Sequence, residues 1–145
     1  MRAVAITEFG GREKLKLMEL PEPKPKAGEV LIQLKAASLN HLDIWVRNGL
    51  YKIPFPHILG ADGAGVIVEV GDGVTNLKIG EKVLISPGIG CGVCQECVSG
   101  RENFCKLYHI LGVQKDGTYA EYVVLPAQNV LPIPANLDFE SAASI

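Results

Sequence analysis

All four cysteines of the chain fall in one stretch, CGVCQECVSGRENFC, running from Cys91 to Cys105. Their spacing is CxxCxxC, with seven residues before the last. Gaps of two residues let a loop wrap three thiolates around one centre with their backbone amides turned inward. Gly90, Gly92 and Gly100 allow the tight turns this requires. Cys105 then closes a tetrahedron. Four soft sulfur ligands favour zinc or iron, and four protein ligands leave no open position for water or substrate, so the expected metal is structural. A bacterial ferredoxin cluster also begins CxxCxxC, but continues with three residues, a cysteine and a proline. Here seven residues intervene and Lys106 follows Cys105. Zinc is therefore the expected ion, held by Cys91, Cys94, Cys97 and Cys105 in a lobe at 87–107.

The rest of the chain reads as short β-type runs punctuated by Gly and Pro: RAVAIT, KLKLMEL, EVLIQLKAASL, GAGVIVEVG, KVLIS and YAEYVVL. Pro21, Pro23 and Pro25 separate the second run from the third, and Asp72-Gly73 with Lys78-Ile79-Gly80 supply turns before the fifth. A length of 145 residues with 48% hydrophobic content suits a single globular core. The expected fold is mainly β, a partly open antiparallel barrel with short helices and the cysteine lobe. One helix is predicted over His41 to Arg47, capped by Asn40 and stopped by Asn48-Gly49. A second is predicted from near Leu137, capped by Asn136 or Asp138. It runs into an unfinished apolar pattern, as at a domain boundary.

A formal charge of −2 with no dense Lys/Arg run offers no electrostatic footprint for nucleic acid or an anionic membrane. MRAVAITEFGGREKL lacks a signal-peptide pattern, and no apolar run is long enough to span a bilayer. A cytoplasmic protein is expected, acting on a small molecule. In that reducing compartment clustered cysteines hold metal more often than they form disulfides.

The opening MRAVAITEFGG, the segments GEVLIQLKAASLNHLD, GADGAGVIVEVGDGV and IGEKV, the cysteine lobe, GTYAEYVVLP and the final NLDFESAASI together resemble the medium-chain dehydrogenase/reductase superfamily. That superfamily includes zinc alcohol dehydrogenases and quinone reductases. The resemblance implies a GroES-like catalytic domain over 1–136, followed from 137 by the connection to a Rossmann domain. That second domain would bind NAD(H) or NADP(H), and relatives are usually homodimers or homotetramers. No GxGxxG with the required setting occurs in this chain, so NAD(P)H would be held by the missing domain.

The resemblance also exposes two departures. Zinc alcohol dehydrogenases would have a cysteine where Asn40 stands and a His-Glu pair where Ala61-Asp62 stands, with a third ligand beyond Ile145. Alanine cannot bind zinc and an amide oxygen is a weak donor, so the usual catalytic zinc is expected to be missing. A relocated site using His41, Asp43, His57 or Asp62 is the first alternative, and a non-catalytic GroES-like binding module the second. Zinc lowers the pKa of bound water from about 16 to about 7, which is roughly 12 kcal/mol of help in ionising a hydroxyl. Without it, hydride addition to an enone or quinone is the more accessible chemistry, because hydrogen-bond donors can stabilise the conjugated oxygen.

Asn40 is the expected catalytic donor, and the quinone reductases that this chain resembles also carry asparagine there. They usually have a tyrosine where Trp45 stands. His41 matches a position where some relatives place a basic residue against the cofactor pyrophosphate. Asp43 matches an acid that orients a zinc ligand, and here it would cap or orient His41 or Asn40. Trp45 and Asp62 are candidate pocket residues, although a tryptophan in a short amphipathic helix is more often core. Gly60, Gly63 and Gly65 are expected to permit close backbone approach or tight barrel turns, not phosphate binding.

Overall fold

The computed structural model describes residues 1–145. Its strands in chain order are β1 (Arg2–Ile6), β2 (Lys16–Glu19), β3 (Glu29–Ala37), β4 (His57–Ile58), β5 (Gly63–Val70), β6 (Lys82–Ile85), β7 (Gly88–Ile89), β8 (His109–Ile110), β9 (Tyr122–Pro126) and β10 (Val130–Pro132). Three short helices join them: α1 (His41–Arg47), α2 (Gln95–Val98) and α3 (Phe139–Ala142). The six runs read from the sequence contain the longer strands. The sequence did not signal the two-residue strands, the three-residue β10 or α2, because elements this short carry too little periodicity to register.

Every ladder is antiparallel, and the main sheet has the order β10-β6-β5-β3-β9. A second sheet, β2-β1-β4, is joined to it by the Ala3–Ala120 bridge and by the Val4 N–H donating to the Tyr119 carbonyl at 2.7 Å. The curl of the main sheet is written into the β3–β5 ladder, whose register shifts twice, between Leu31 and Ile32 and between Leu34 and Ala36. Each irregularity bends the pair and increases its twist. Gly65 sits opposite Leu34 there, and a Cβ at this position would come within 2.9 Å of the Gln33 carbonyl carbon. Only glycine allows that approach.

Inside the curl lies the largest core cluster, which includes Val30, Ile32, Ile67, Val83, Leu111 and Leu125. Alternation along β3, β5 and β9 turns these residues inward, and each full burial of such a side chain contributes roughly 1.5–3 kcal/mol. A smaller cluster of Ile6, Val46, Leu59 and Val113 seats α1 against the barrel. Ala142 and Ala143 pack on Ala64 of β5, so α3 lies against the outer face of the sheet. Asp138, not Asn136, caps α3, accepting a 2.8 Å hydrogen bond from the Ser141 amide.

Asn40 caps α1 as expected: it is the N-cap residue of a capping box, and its backbone N–H donates to Asp43 Oδ2 at 2.8 Å. One detail of α1 differs from expectation. Trp45 is not core. It is 47% exposed and meets His41 edge-on at 5.0 Å, because the buried stripe of α1 passes through Asp43 and Val46 instead.

Ile32 is fully buried and Leu131 is 49% exposed. Ile32→Ala should therefore cost about 2–5 kcal/mol in chemical denaturation, whereas Leu131→Ala should stay within about 0.5 kcal/mol of the parent.

Candidate functional site

Asp43 is the structural centre of the candidate cleft. It is buried, and its carboxylate accepts from three donors: the Asn40 amide, the Gly60 amide at 3.1 Å and the Tyr119 hydroxyl at 2.7 Å. One side chain thus ties the start of α1 to the 59–62 loop and to the segment entering β9. A buried carboxylate without a cation is tolerated when several N–H and O–H groups replace its water, as here. Gly60 adopts φ +99, and a Cβ there would lie 2.6 Å from the Tyr119 ring, so the close approach of loop and ring requires glycine. Asp43 therefore does cap and orient, but through Asn40 and not His41.

With Asn40 held by its backbone, its side-chain amide donates to Asp62 Oδ2. Thr118 is buried, and its hydroxyl donates to the Asp62 carbonyl at 2.9 Å, which fixes the backbone beneath that carboxyl. Asp62 is half-buried, and burial pushes its pKa above the ordinary aspartate value. The Asn40 hydrogen bond opposes this shift and the Asp43 charge adds to it. Burial, reinforced by the Asp43 hydrogen bond and charge, likewise raises Tyr119 well above the ordinary phenol range.

A cavity of about 330 Å³ opens beside this network, lined by residues including Asn40, His41, Asp43, Leu59 and Tyr119. Of the predicted residues, Asn40, His41 and Asp43 come together on it. Asp62 and Trp45 both lie outside its lining, Asp62 hydrogen-bonded to Asn40 and Trp45 on the exposed face of α1. Tyr119 escaped the sequence reading. Its only local signal was an aromatic after Gly117-Thr118, and nothing in that pattern points at Asp43, which is distant in sequence.

The four cysteine sulfurs lie within 4.8 Å of one another. Cys94 and Cys97 Sγ are 3.5 Å apart and Cys91 and Cys97 Sγ are 3.9 Å apart, near the roughly 3.8 Å that a tetrahedral ion with 2.3 Å metal–sulfur bonds requires. Backbone amides point at the sulfurs: Cys94 to Cys91 and Cys91 to Cys105 at 3.4 Å, and Leu107 to Cys105 at 3.3 Å. Amides of Val93 and Cys94 hold Cys91 down at about 6, while burial drives Cys97 up to about 12. The first thiolate is thus available at neutral pH, and a bound cation would supply the charge needed to ionise the others. Between 90 and 108 only Cys105 is buried, whereas Val93, Phe104 and Leu107 are exposed. The lobe has no apolar core, so this donor set fits a metal that holds the lobe together.

No other group of three or more His, Cys, Asp or Glu side chains can reach a common ion. His57 is buried with both nitrogens engaged, Nε2 donating to the Gly112 carbonyl at 3.1 Å and Nδ1 3.4 Å from Asp116 Oδ1. His41 is exposed at the edge of the cavity. The residues at the Asn40–Asp62 cleft therefore do not fit a relocated metal within this chain.

The family model described as the alcohol dehydrogenase GroES-like domain matches residues 26–135. The chain belongs to this family. An alcohol dehydrogenase of Geobacillus stearothermophilus is 41% identical across 100% of this chain and 43% of its own length. An L-threonine 3-dehydrogenase of Pyrococcus furiosus is 39% identical over 97% of this chain and 42% of that protein. Among solved structures, an NAD-dependent alcohol dehydrogenase superposes with a TM-score of 0.97 at 52% identity, over 100% of this chain and 43% of that one. A cobalt- and zinc-bound thermostable alcohol dehydrogenase from Pyrobaculum aerophilum gives 0.92 at 40%, over 100% and 44%. This alcohol dehydrogenase-type GroES-like domain thus spans less than half the length of the relatives it matches. No helix in it is long and apolar enough to cross a membrane.

Tyr119→Phe removes a hydrogen bond to a buried charge and should cost about 1.5–3 kcal/mol, read from denaturant midpoints. Asp62 gives a signed pH effect. A carboxyl raised on folding supports the fold fully below its unfolded value and loses that support as pH climbs through the folded one. Asp62→Asn should match the parent in stability below about pH 4 and exceed it at about pH 7.

Proposed function

We propose that this chain is the catalytic-domain portion of a nicotinamide-dependent reductase of quinones, enones or related carbonyl compounds, with one structural zinc and no catalytic zinc. The observation that carries this is the Asn40–Asp62 hydrogen bond beside Ala61. Where zinc alcohol dehydrogenases would place a cysteine and a His-Glu pair, two of these side chains satisfy each other and the third has no donor atom.

A reduced nicotinamide, bound by the remainder of the protein after residue 136, would supply the hydride. The chain's own residues would do the rest. An asparagine amide has two N–H donors, and Asn40 spends one on Asp62, leaving the other for an oxygen on which charge develops. Asp43, through the Asn40 amide, holds this donor in place before substrate arrives. His41, exposed at the cavity edge, is available to the cofactor phosphates. The intact enzyme would work in the cytoplasm as a homodimer or homotetramer.

A second reading is favoured by the names of the relatives, which are alcohol and threonine dehydrogenases. On that reading a catalytic zinc survives with ligands supplied partly by the rest of the protein. Elemental analysis of the intact protein separates the two. One zinc per chain, lost in Cys105→Ser, supports the metal-free cleft, whereas a second ion required for turnover refutes it. Asn40→Ala should lower kcat toward an enone or quinone by about 10²–10³-fold and leave the bound zinc unchanged.

A further inference from the structure

We infer that Asp62 is the proton source of this cleft, delivering the proton that follows the hydride onto the substrate oxygen; this rests on the reductase function proposed above. The geometry carries it. Asp62 would share Asn40 with the substrate: one amide N–H holds the carboxyl, and because the two N–H bonds diverge, an oxygen accepting the second would lie about 5 Å from that carboxyl, the span of one bridging water. The Thr118 hydroxyl on its carbonyl prevents Asp62 from turning away at the backbone. Half-burial leaves one side open to solvent for reloading.

The other groups around the cleft are poorer donors. Tyr119 spends its hydroxyl proton on Asp43, and its raised pKa makes it a weaker acid. Asp43 already accepts from three donors, so both of its oxygens are occupied within the fold. These two are the titratable groups facing Asp62, and neither is cationic. Asp62 forms no ion pair, while a carboxylate nearby and partial burial favour its neutral form. An acid so placed stays protonated closer to neutrality than a surface aspartate does.

The step balances as follows. Hydride adds to the electrophilic carbon, and the π pair moves onto the oxygen, through the conjugated system in an enone or quinone. The Asp62 O–H bond breaks as its proton passes to a bridging water, and that water gives up one of its own protons as the substrate O–H bond forms. The carboxylate that remains is stabilised by the Asn40 N–H and takes its next proton from water.

Two measurements on the intact protein test this. The first is a carbon-13 NMR titration of the Asp62 carboxyl, which needs no turnover. Its midpoint should lie above the ordinary aspartate range and rise further in Asn40→Ala, which removes the opposing hydrogen bond. A midpoint at or below the ordinary value overturns the inference, whatever the enzyme reduces. The second is turnover with a reduced nicotinamide and an enone or quinone. Asp62→Asn should lower kcat about 10²-fold or more, leave KM nearly unchanged and abolish the fall in kcat at high pH, with partial recovery in Asp62→Glu. If the parent turns over and Asp62→Asn retains activity within tenfold with the same pH profile, Asp62 is not the proton source. If the parent reduces no such acceptor while the titration behaves as expected, the reductase function fails and the proton-delivery role fails with it. The raised midpoint then remains only as a property of the carboxyl.

Discussion

The cleft is organised by one buried carboxylate that has no cation to answer it. Asp43 replaces its hydration with two backbone amides and a phenol, drawn from α1, the loop after β4 and the segment entering β9. Each donor is cheap to supply alone, but leaving any one out would strand a charge in a region of low dielectric. That cost ties the three segments together. Asn40 and Asp62 lie on two of these segments, so their pairing follows from the anchor and not from any attraction strong enough to assemble the cleft by itself.

Two different physical strategies hold the chain together. The barrel relies on apolar burial, with β-branched and leucine side chains alternating inward along antiparallel strands that bulges bend into a curl. The cysteine lobe cannot do this. Its apolar residues face outward and only one of its cysteines is buried, so four sulfurs and the amides aimed at them do the work of a core. The short β7–β8 pair, Gly88 opposite Ile110 and Ile89 opposite His109, closes the base of the lobe as a two-stranded sheet of its own.

The same family scaffold can present different side chains at one position. With an amide at Asn40, a methyl at Ala61 and a carboxyl at Asp62, this chain departs from the cysteine and His-Glu pair of zinc alcohol dehydrogenases, and the amide and carboxyl bond each other. On the function proposed above, hydrogen bonding would replace coordination as the means of stabilising developing charge.

The cysteine spacing, the six β-type runs, the helix over His41 to Arg47 and the departures at Asn40 and Ala61-Asp62 were all legible in the sequence. Spacing, period and residue type are local properties that survive without knowledge of the fold. Gly60 and Gly65 also read correctly as sites of close approach, because a missing Cβ is visible one residue at a time. What the chain order could not carry was the set of partners: Tyr119 on Asp43, Thr118 beneath Asp62, and the Asn40 side-chain N–H on Asp62. Trp45 misled for a related reason. Its helix is only seven residues long, so either face satisfied the pattern, and the burial of Asp43 by distant donors decided which face turned inward. The sequence by itself determined which groups are available; the barrel's long-range contacts decided which of them meet, since a hydrogen bond depends on distance in space and not along the chain.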